Sequence, residues 1–153
     1  MSIQPSTLQT KDKSDKSDKD DFYYYKKDVS LKEYKIHKYV SNLNIVNTPK
    51  IYDYNKTTKV LKMQKINGLC LSDMYGDKKE DISDDLFDKI REIVLALYKN
   101  NVEYLDVTGY NFIEKDNKLW VIDFGDANIR KKINNPFLQD FLEGSNKWND
   151  DFL

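Results

Sequence analysis

Glycine is scarce in this chain: there are five in 153 residues, and the first is Gly68. Residues 1–67 therefore hold no glycine-rich turn that could wrap backbone amides around a phosphate. A single cysteine, Cys70, excludes an internal disulfide, and a single histidine, His37, excludes a zinc site of the usual Cys/His type. Sparse cysteine fits a reducing, intracellular setting. No apolar run approaches the ~18 residues of a membrane span, and the polar N-terminus has no signal-peptide core, so the expected place is cytoplasm or nucleus. Charge of one sign is missing as well. With 25 Lys and Arg against 26 Asp and Glu, the net charge of −1 gives no global basic field that would argue for nucleic acid or an anionic membrane as a partner.

What is present is a chain long enough for one domain with a real core. Its heavy use of Lys, Asn, Asp, Ile and Tyr matches an AT-rich genome, such as that of a parasite or a large DNA virus; in the viral case the location would be the host cytoplasm. Residues 1–21, ending in KDKSDKSDKDD, have almost nothing apolar to bury and are expected to be a disordered polar tail. Aromatic Phe22 to Tyr25 and Lys26 predict a strand. Ser30 then caps a helix with Ile36, Val40 and Leu43 on one stripe, which places Glu33 on the inward side. A carboxylate there requires a cation, and the preceding strand supplies Lys26 or Lys27. KIYDY and KVLKMQKI around Asn55 to Thr58 predict a hairpin. Ser83 caps a second helix with Leu86, Ile90, Val94 and Leu97 on its apolar face, stopped by Asn100-Asn101. Pro136, Phe137, Leu138, Phe141 and Leu142 predict a last amphipathic helix, with Trp148 and Phe152 packing it.

The most informative stretch is Tyr104 to Gly125, YLDVTGYNFIEKDNKLWVIDFG. Asp106 is followed five residues later by Asn111, and twelve residues after that by Asp123-Phe124-Gly125. Between them, NFIEK and KLWVID flank Asp116-Asn117, the turn chemistry of a hairpin that returns Asp123 beside Asn111. This arrangement resembles the catalytic core of the protein-kinase superfamily. The resemblance implies an α+β, two-lobed protein-kinase-like fold. Residues 22–66 would be a reduced N-lobe of antiparallel strands plus one helix, 67–70 a hinge, and 71–153 a small, mainly helical C-lobe.

The resemblance also implies ATP and Mg2+ as cofactors. Asp106 would accept the proton of a substrate hydroxyl, while Asn111 and Asp123 would hold the metal. Glu33 stands eleven residues before Asn44-Ile45-Val46, where kinases place the helix glutamate that pairs with the phosphate-binding lysine. Tyr23-Tyr24-Tyr25-Lys26 overlays the family's Val-Ala-Ile-Lys, which favours Lys26 over Lys27 and sets Tyr24 where the family has a small residue under adenine. Met63 would line the back of the adenine pocket, with Gln64 to Ile66 offering backbone groups to the base.

The sequence departs from the family pattern in several places. The glycine-rich loop ahead of Lys26 is absent, and His-Arg-Asp reads Tyr104-Leu105-Asp106. Thr108 replaces the lysine of typical serine/threonine kinases and is similar to the small atypical kinase that accompanies the tRNA-threonylcarbamoylation complex. No Ala-Pro-Glu follows Gly125. The expected activity is transfer of the γ-phosphate to Ser/Thr hydroxyls, with a protein substrate or regulatory protein as partner. Two alternatives stay open: a pseudokinase that binds without turnover, and a small-molecule phosphotransferase.

Overall fold

In a computed structural model, residues 19–153 are described, with side chains from Asp21 onward. Most of the expected polar tail lies outside the described residues. Its last part does not: Lys19–Phe22 form one helical turn, α1, which takes Phe22 out of the strand expected there.

The chain then enters β1, Tyr23–Lys26. Asp28 takes a left-handed conformation, φ 58°, which turns the chain within four residues into α2, Leu31–Leu43. The Ser30 hydroxyl accepts from the Glu33 amide at 3.0 Å, the N-cap expected from sequence. Strands β2, Ile51–Asn55, and β3, Val60–Gln64, form the predicted hairpin, and β3 also pairs with β1, giving an antiparallel sheet ordered β1-β3-β2. The register sets Lys26 opposite Leu61 and Tyr24 opposite Met63. Val29, Leu61 and Met63 form a small core beneath this sheet, with Tyr24, Tyr34, Ile51 and Tyr54 against it. Tyr54 stacks on Tyr34 with ring centres 4.4 Å apart and donates from its hydroxyl to the Val29 carbonyl at 2.6 Å, which pins the start of α2 to the sheet.

The larger core follows a short helix, α3, Leu71–Tyr75, and is built on α4, Asp84–Lys99. Ser83 caps α4 by accepting from the Leu86 amide, and Asp84 and Asp85 in the first turn complement its dipole. Leu86, Ile90, Val94 and Leu97, the stripe the sequence predicts, are all buried, and Phe87 and Ile93 are buried beside them. Ile36 and Val40 of α2 join this core, so α2 packs on the larger body as well as on the small sheet.

After α4 comes β4, Val102–Tyr104, and then the hairpin of β5, Phe112–Lys115, and β6, Lys118–Val121. Asp116 and Asn117 both have positive φ, 56° and 61°, the two left-handed residues a tight hairpin turn requires. Strand β7, Ala127–Ile129, returns to pair with β4, a contact the sequence does not announce. Helix α5, Pro136–Leu142, and the segment to Leu153 close the larger core, with Trp148 against Phe87 at 4.9 Å between ring centres. No described helix is long and apolar enough to cross a membrane.

Ile90 is fully buried at the middle of the α4 stripe. Ile90→Ala is expected to cost about 2–5 kcal/mol, seen as a lower urea midpoint with unchanged slope.

Candidate functional site

Strand β1 ends on Lys26, the first turn of α2 carries Glu33, and the chain leaving β6 carries Asp123. The Lys26 ammonium lies 2.5 Å from Glu33 Oε2 and 3.1 Å from Asp123 Oδ1. Three residues drawn from distant parts of the sequence therefore meet at one cation. Glu33 is buried, and removing Lys26, its cationic partner among the described residues, would leave a carboxylate stranded in a poor solvent. Lys27, on the opposite side of the strand end, is exposed and outside this cluster.

The electrostatics follow from one ammonium serving two carboxylates. Burial pulls Lys26 down, but the charges of Asp123 and Glu33 outweigh it and hold the ammonium above its ordinary pKa. Burial also acts to raise Asp123, and the Lys26 charge together with the Gly125 amide, which donates to Oδ1 at 2.8 Å, brings it below the usual carboxylate range. Glu33 is held above its usual range because burial outweighs its share of Lys26.

Asp106 follows β4, on a loop tied to the larger core. Thr108 Oγ1 donates to Asp106 Oδ1 at 3.0 Å, and Asn111 Nδ2 donates to the Asp106 carbonyl at 2.8 Å. Burial raises the Asp106 pKa, and the hydrogen bonds from Asn111 and Thr108 oppose it. The Ile122 amide donates to the Asn111 carbonyl at 3.0 Å, so the base of the β5–β6 hairpin fastens the Asp106–Asn111 loop to the strand leading to Asp123.

Two residues that the sequence did not single out for the site support it from within. Tyr104 is buried and donates from its hydroxyl to the Asp123 carbonyl at 2.5 Å. Its ring sits edge-on to Phe124, 5.7 Å between centres, and His37 packs on the other ring contact of Phe124 at 5.1 Å. His37 Nε2–H donates to the Pro49 carbonyl at 2.8 Å, which ties α2 to the segment before β2. A further chain of contacts runs from Arg130 to Glu103 at 2.8 Å, from Asn128 to Glu103 at 2.9 Å, and from Lys32 to Asn128, joining α2 to β7 and β4. The only advance signal for these supports is the position of Tyr104 and His37 near chemistry-bearing residues.

Met63 is buried on β3 and faces the small core, and Ile66 is buried just beyond the strand. The Gln64 amide donates to the Lys50 carbonyl at 2.7 Å and the Lys65 amide to the Phe22 carbonyl at 2.9 Å. Those two N–H groups are spent within the fold, which narrows the groups a base could meet between Gln64 and Ile66.

Two outcomes test this geometry. Tyr104→Phe removes one hydroxyl and leaves the Asp123 carbonyl without its donor, so stability should fall by about 1–3 kcal/mol in urea denaturation. His37 is pushed down to about 4 mainly by burial, whereas an unfolded histidine titrates near 6.5. Because the unfolded chain binds the proton more readily, the neutral ring's full stability is present above about pH 6.5 and is lost as pH falls toward 4, by about 3 kcal/mol. Denaturation between pH 7 and 4 should show a shallower loss in His37→Gln than in the wild type.

The RIO domain family matches residues 4–143. A curated relative, named as a probable bifunctional tRNA threonylcarbamoyladenosine biosynthesis protein of Methanocaldococcus jannaschii, is 40% identical over 77 residues, which is 50% of this chain and 13% of that protein. The solved structure of the Cydia pomonella granulovirus kinase PK-1 superposes with a TM-score of 0.53 at 22% identity, covering 74% of this chain and 46% of the other. That of the Rio2 kinase–ADP/Mg2+–phosphoaspartate complex from Chaetomium thermophilum gives 0.52 at 13% identity, covering 74% and 34%. The chain thus spans less than half the length of each of these proteins, and the two structures speak for its fold: α+β, with two-lobed kinase-like neighbours. With a family match across most of its length and an Asp106–Asn111–Asp123 arrangement closed by Lys26 and Glu33, this chain belongs to the RIO domain family, within the protein-kinase-like superfamily.

Proposed function

We propose that this chain binds ATP with Mg2+ and transfers the γ-phosphate to a hydroxyl acceptor. The observation that carries the reading is the convergence of Lys26 on both Glu33 and Asp123. A lysine held in place by a buried glutamate presents a fixed positive charge to phosphate oxygens, and Asp123 beside it can share a metal with the same phosphates. Oδ1 of Asp123 already accepts from Lys26 and Gly125, which leaves Oδ2 for a cation. Asn111 spends its amide nitrogen on the Asp106 carbonyl, so its amide oxygen is the group left to ligate. Both are hard oxygen donors of the kind Mg2+ takes alongside phosphate. The bound ion would neutralise charge on the transferring phosphoryl group.

Asp106 takes the base role in this reading. Thr108 donates to one of its carboxylate oxygens, which orients the carboxyl toward the acceptor's proton. With the Gln64 and Lys65 amides engaged, the Ile66 amide is the hinge donor proposed for the adenine. Lys27, exposed and outside the cluster, is a contact for phosphates only at the rim. The acceptor proposed is a Ser/Thr hydroxyl of a protein, and the 40% identity to a protein named for tRNA threonylcarbamoyladenosine biosynthesis supports a search for the partner near that process. A second reading, a binding module without turnover, is favoured by the absence of glycine from residues 1–67, since a glycine-rich loop is the usual means of orienting the γ-phosphate.

Titration calorimetry with ATP and Mg2+ should give a binding isotherm that Asp123→Ala abolishes; no heat from the wild type would overturn the reading. Phosphoryl transfer from labelled ATP should fall at least about a hundredfold in Asp106→Ala with nucleotide affinity retained. Equal transfer by both proteins would remove Asp106 as the base, and binding with no transfer by either would favour the second reading.

A further inference from the structure

The net charge of −1 averages over a chain whose charges are segregated. Residues 22–66 hold ten lysines and three carboxylates, whereas residues 67–153 hold eleven lysines and arginines against eighteen carboxylates. The small β1-β3-β2 sheet with its helix thus carries a formal +7, apart from His37, and the larger body −7. Asymmetry of this kind is a footprint of polyanion binding that a whole-chain sum hides. A lysine-rich composition alone does not explain it, because the lysines elsewhere are outnumbered by carboxylates.

The outer face of the same sheet adds a second, independent observation. Leu61 and Met63 of β3 point into the small core, so Lys62 between them lies on the opposite face. There Lys62 sits over the Tyr23 ring at 4.2 Å and near the Tyr25 ring at 5.9 Å. Tyr52 meets Tyr23 edge-on, 5.0 Å between centres, and Lys50 lies over the Tyr52 ring at 5.4 Å. Tyr25 is 43% and Tyr52 47% exposed, and Phe22 at the strand's start is 64% exposed. On these three strands Asp53 is the one carboxylate.

We propose that this face binds single-stranded nucleic acid. Exposed aromatic rings on a flat sheet offer stacking surfaces to unpaired bases, and lysines interleaved with them offer contacts to the phosphates between those bases. A duplex keeps its bases stacked on one another and cannot use the rings. An anionic lipid surface would be met by apolar side chains that enter the acyl boundary, whereas this face is tyrosine and lysine. Tyr25 and Tyr52 are the stacking residues, Tyr23 braces Lys62 and Tyr52 between them, and Lys50 and Lys62 are the phosphate contacts. The face is separate from Lys26 and Tyr24, which point to the other side of β1, so nucleic acid and nucleotide need not compete.

The test is fluorescence anisotropy of a labelled single-stranded oligouridine, about 16 nucleotides long, with the full chain at several salt concentrations. Wild type is expected to bind at low salt, with Tyr25→Ala and Tyr52→Ala each weakening binding roughly tenfold. Lys50→Ala and Lys62→Ala should each flatten the log–log salt dependence by about 0.7, and Lys89→Ala, on α4, should change nothing. All four substituted positions on this face are exposed or partly so, and unchanged melting temperatures exclude unfolding as the cause. The matching deoxyuridine strand shows whether the 2′-hydroxyl contributes. The proposal is overturned by no binding at low salt, by binding that the tyrosine variants leave intact, by tighter binding of the duplex than of the single strand, or by binding to phosphatidylserine vesicles without binding to the oligonucleotide. It is equally overturned if the only association seen is of this chain with itself, basic sheet to acidic body.

Discussion

The Lys26 ammonium is the point on which the rest of the structure converges. Among the described residues it is the cation paired with both a buried glutamate from α2 and an aspartate from the far end of the chain, so strand, helix and the Asp123 segment meet at a single charge. Exposed ion pairs contribute little, but Glu33 is buried, and its partner cannot be removed without leaving an uncompensated charge. Much of the fold serves to keep that arrangement in register. The Ser30 cap starts α2 in the right place, the Tyr54–Val29 and Tyr34–Tyr54 contacts pin it to the sheet, and Ile36 and Val40 anchor it to the larger core.

From the other side, Asp123 is held through its backbone as well as its carboxylate. Tyr104 grips the carbonyl, and the stack His37–Phe124–Tyr104 fills the space between α2 and the Asp106 loop. The carboxylate itself faces Lys26 and the Gly125 amide. A polar site resting on buried aromatic rings packed edge-on and tilted has few ways to relax, which keeps its charges positioned. The basic sheet above this site and the acidic body below it give the molecule a dipolar character that its near-zero net charge conceals.

Local chemistry is what the sequence makes legible. Ser30 and Ser83 as caps, Asp116-Asn117 as a hairpin turn and the α4 stripe all follow from rules that act within a few residues, whereas the preference for Lys26 over Lys27 comes from the family resemblance. The pairing of Glu33 with a strand lysine was legible too, because an inward carboxylate demands a cation. Pairings made at long range by very short segments were not. Strands β4 and β7 are three residues each and carry no periodic signal, and the Asn128–Glu103 contact that joins them depends on that pairing. His37 lies on the apolar side of α2, where sequence shows only an isolated histidine; its partner, the Pro49 carbonyl, is set by the turn into β2. The helical turn at Lys19–Phe22 carries no sequence signal, because a single turn of KDDF after a charged run has no apolar periodicity.

The most direct measurement is a double-mutant cycle on ATP·Mg2+ affinity with Lys26→Met and Glu33→Gln. If Glu33 acts by holding Lys26, Glu33→Gln weakens binding roughly tenfold in the wild-type background and has no further effect once Lys26 is methionine. An equal loss from Glu33→Gln in both backgrounds would contradict the shared-ammonium arrangement as the centre of the site.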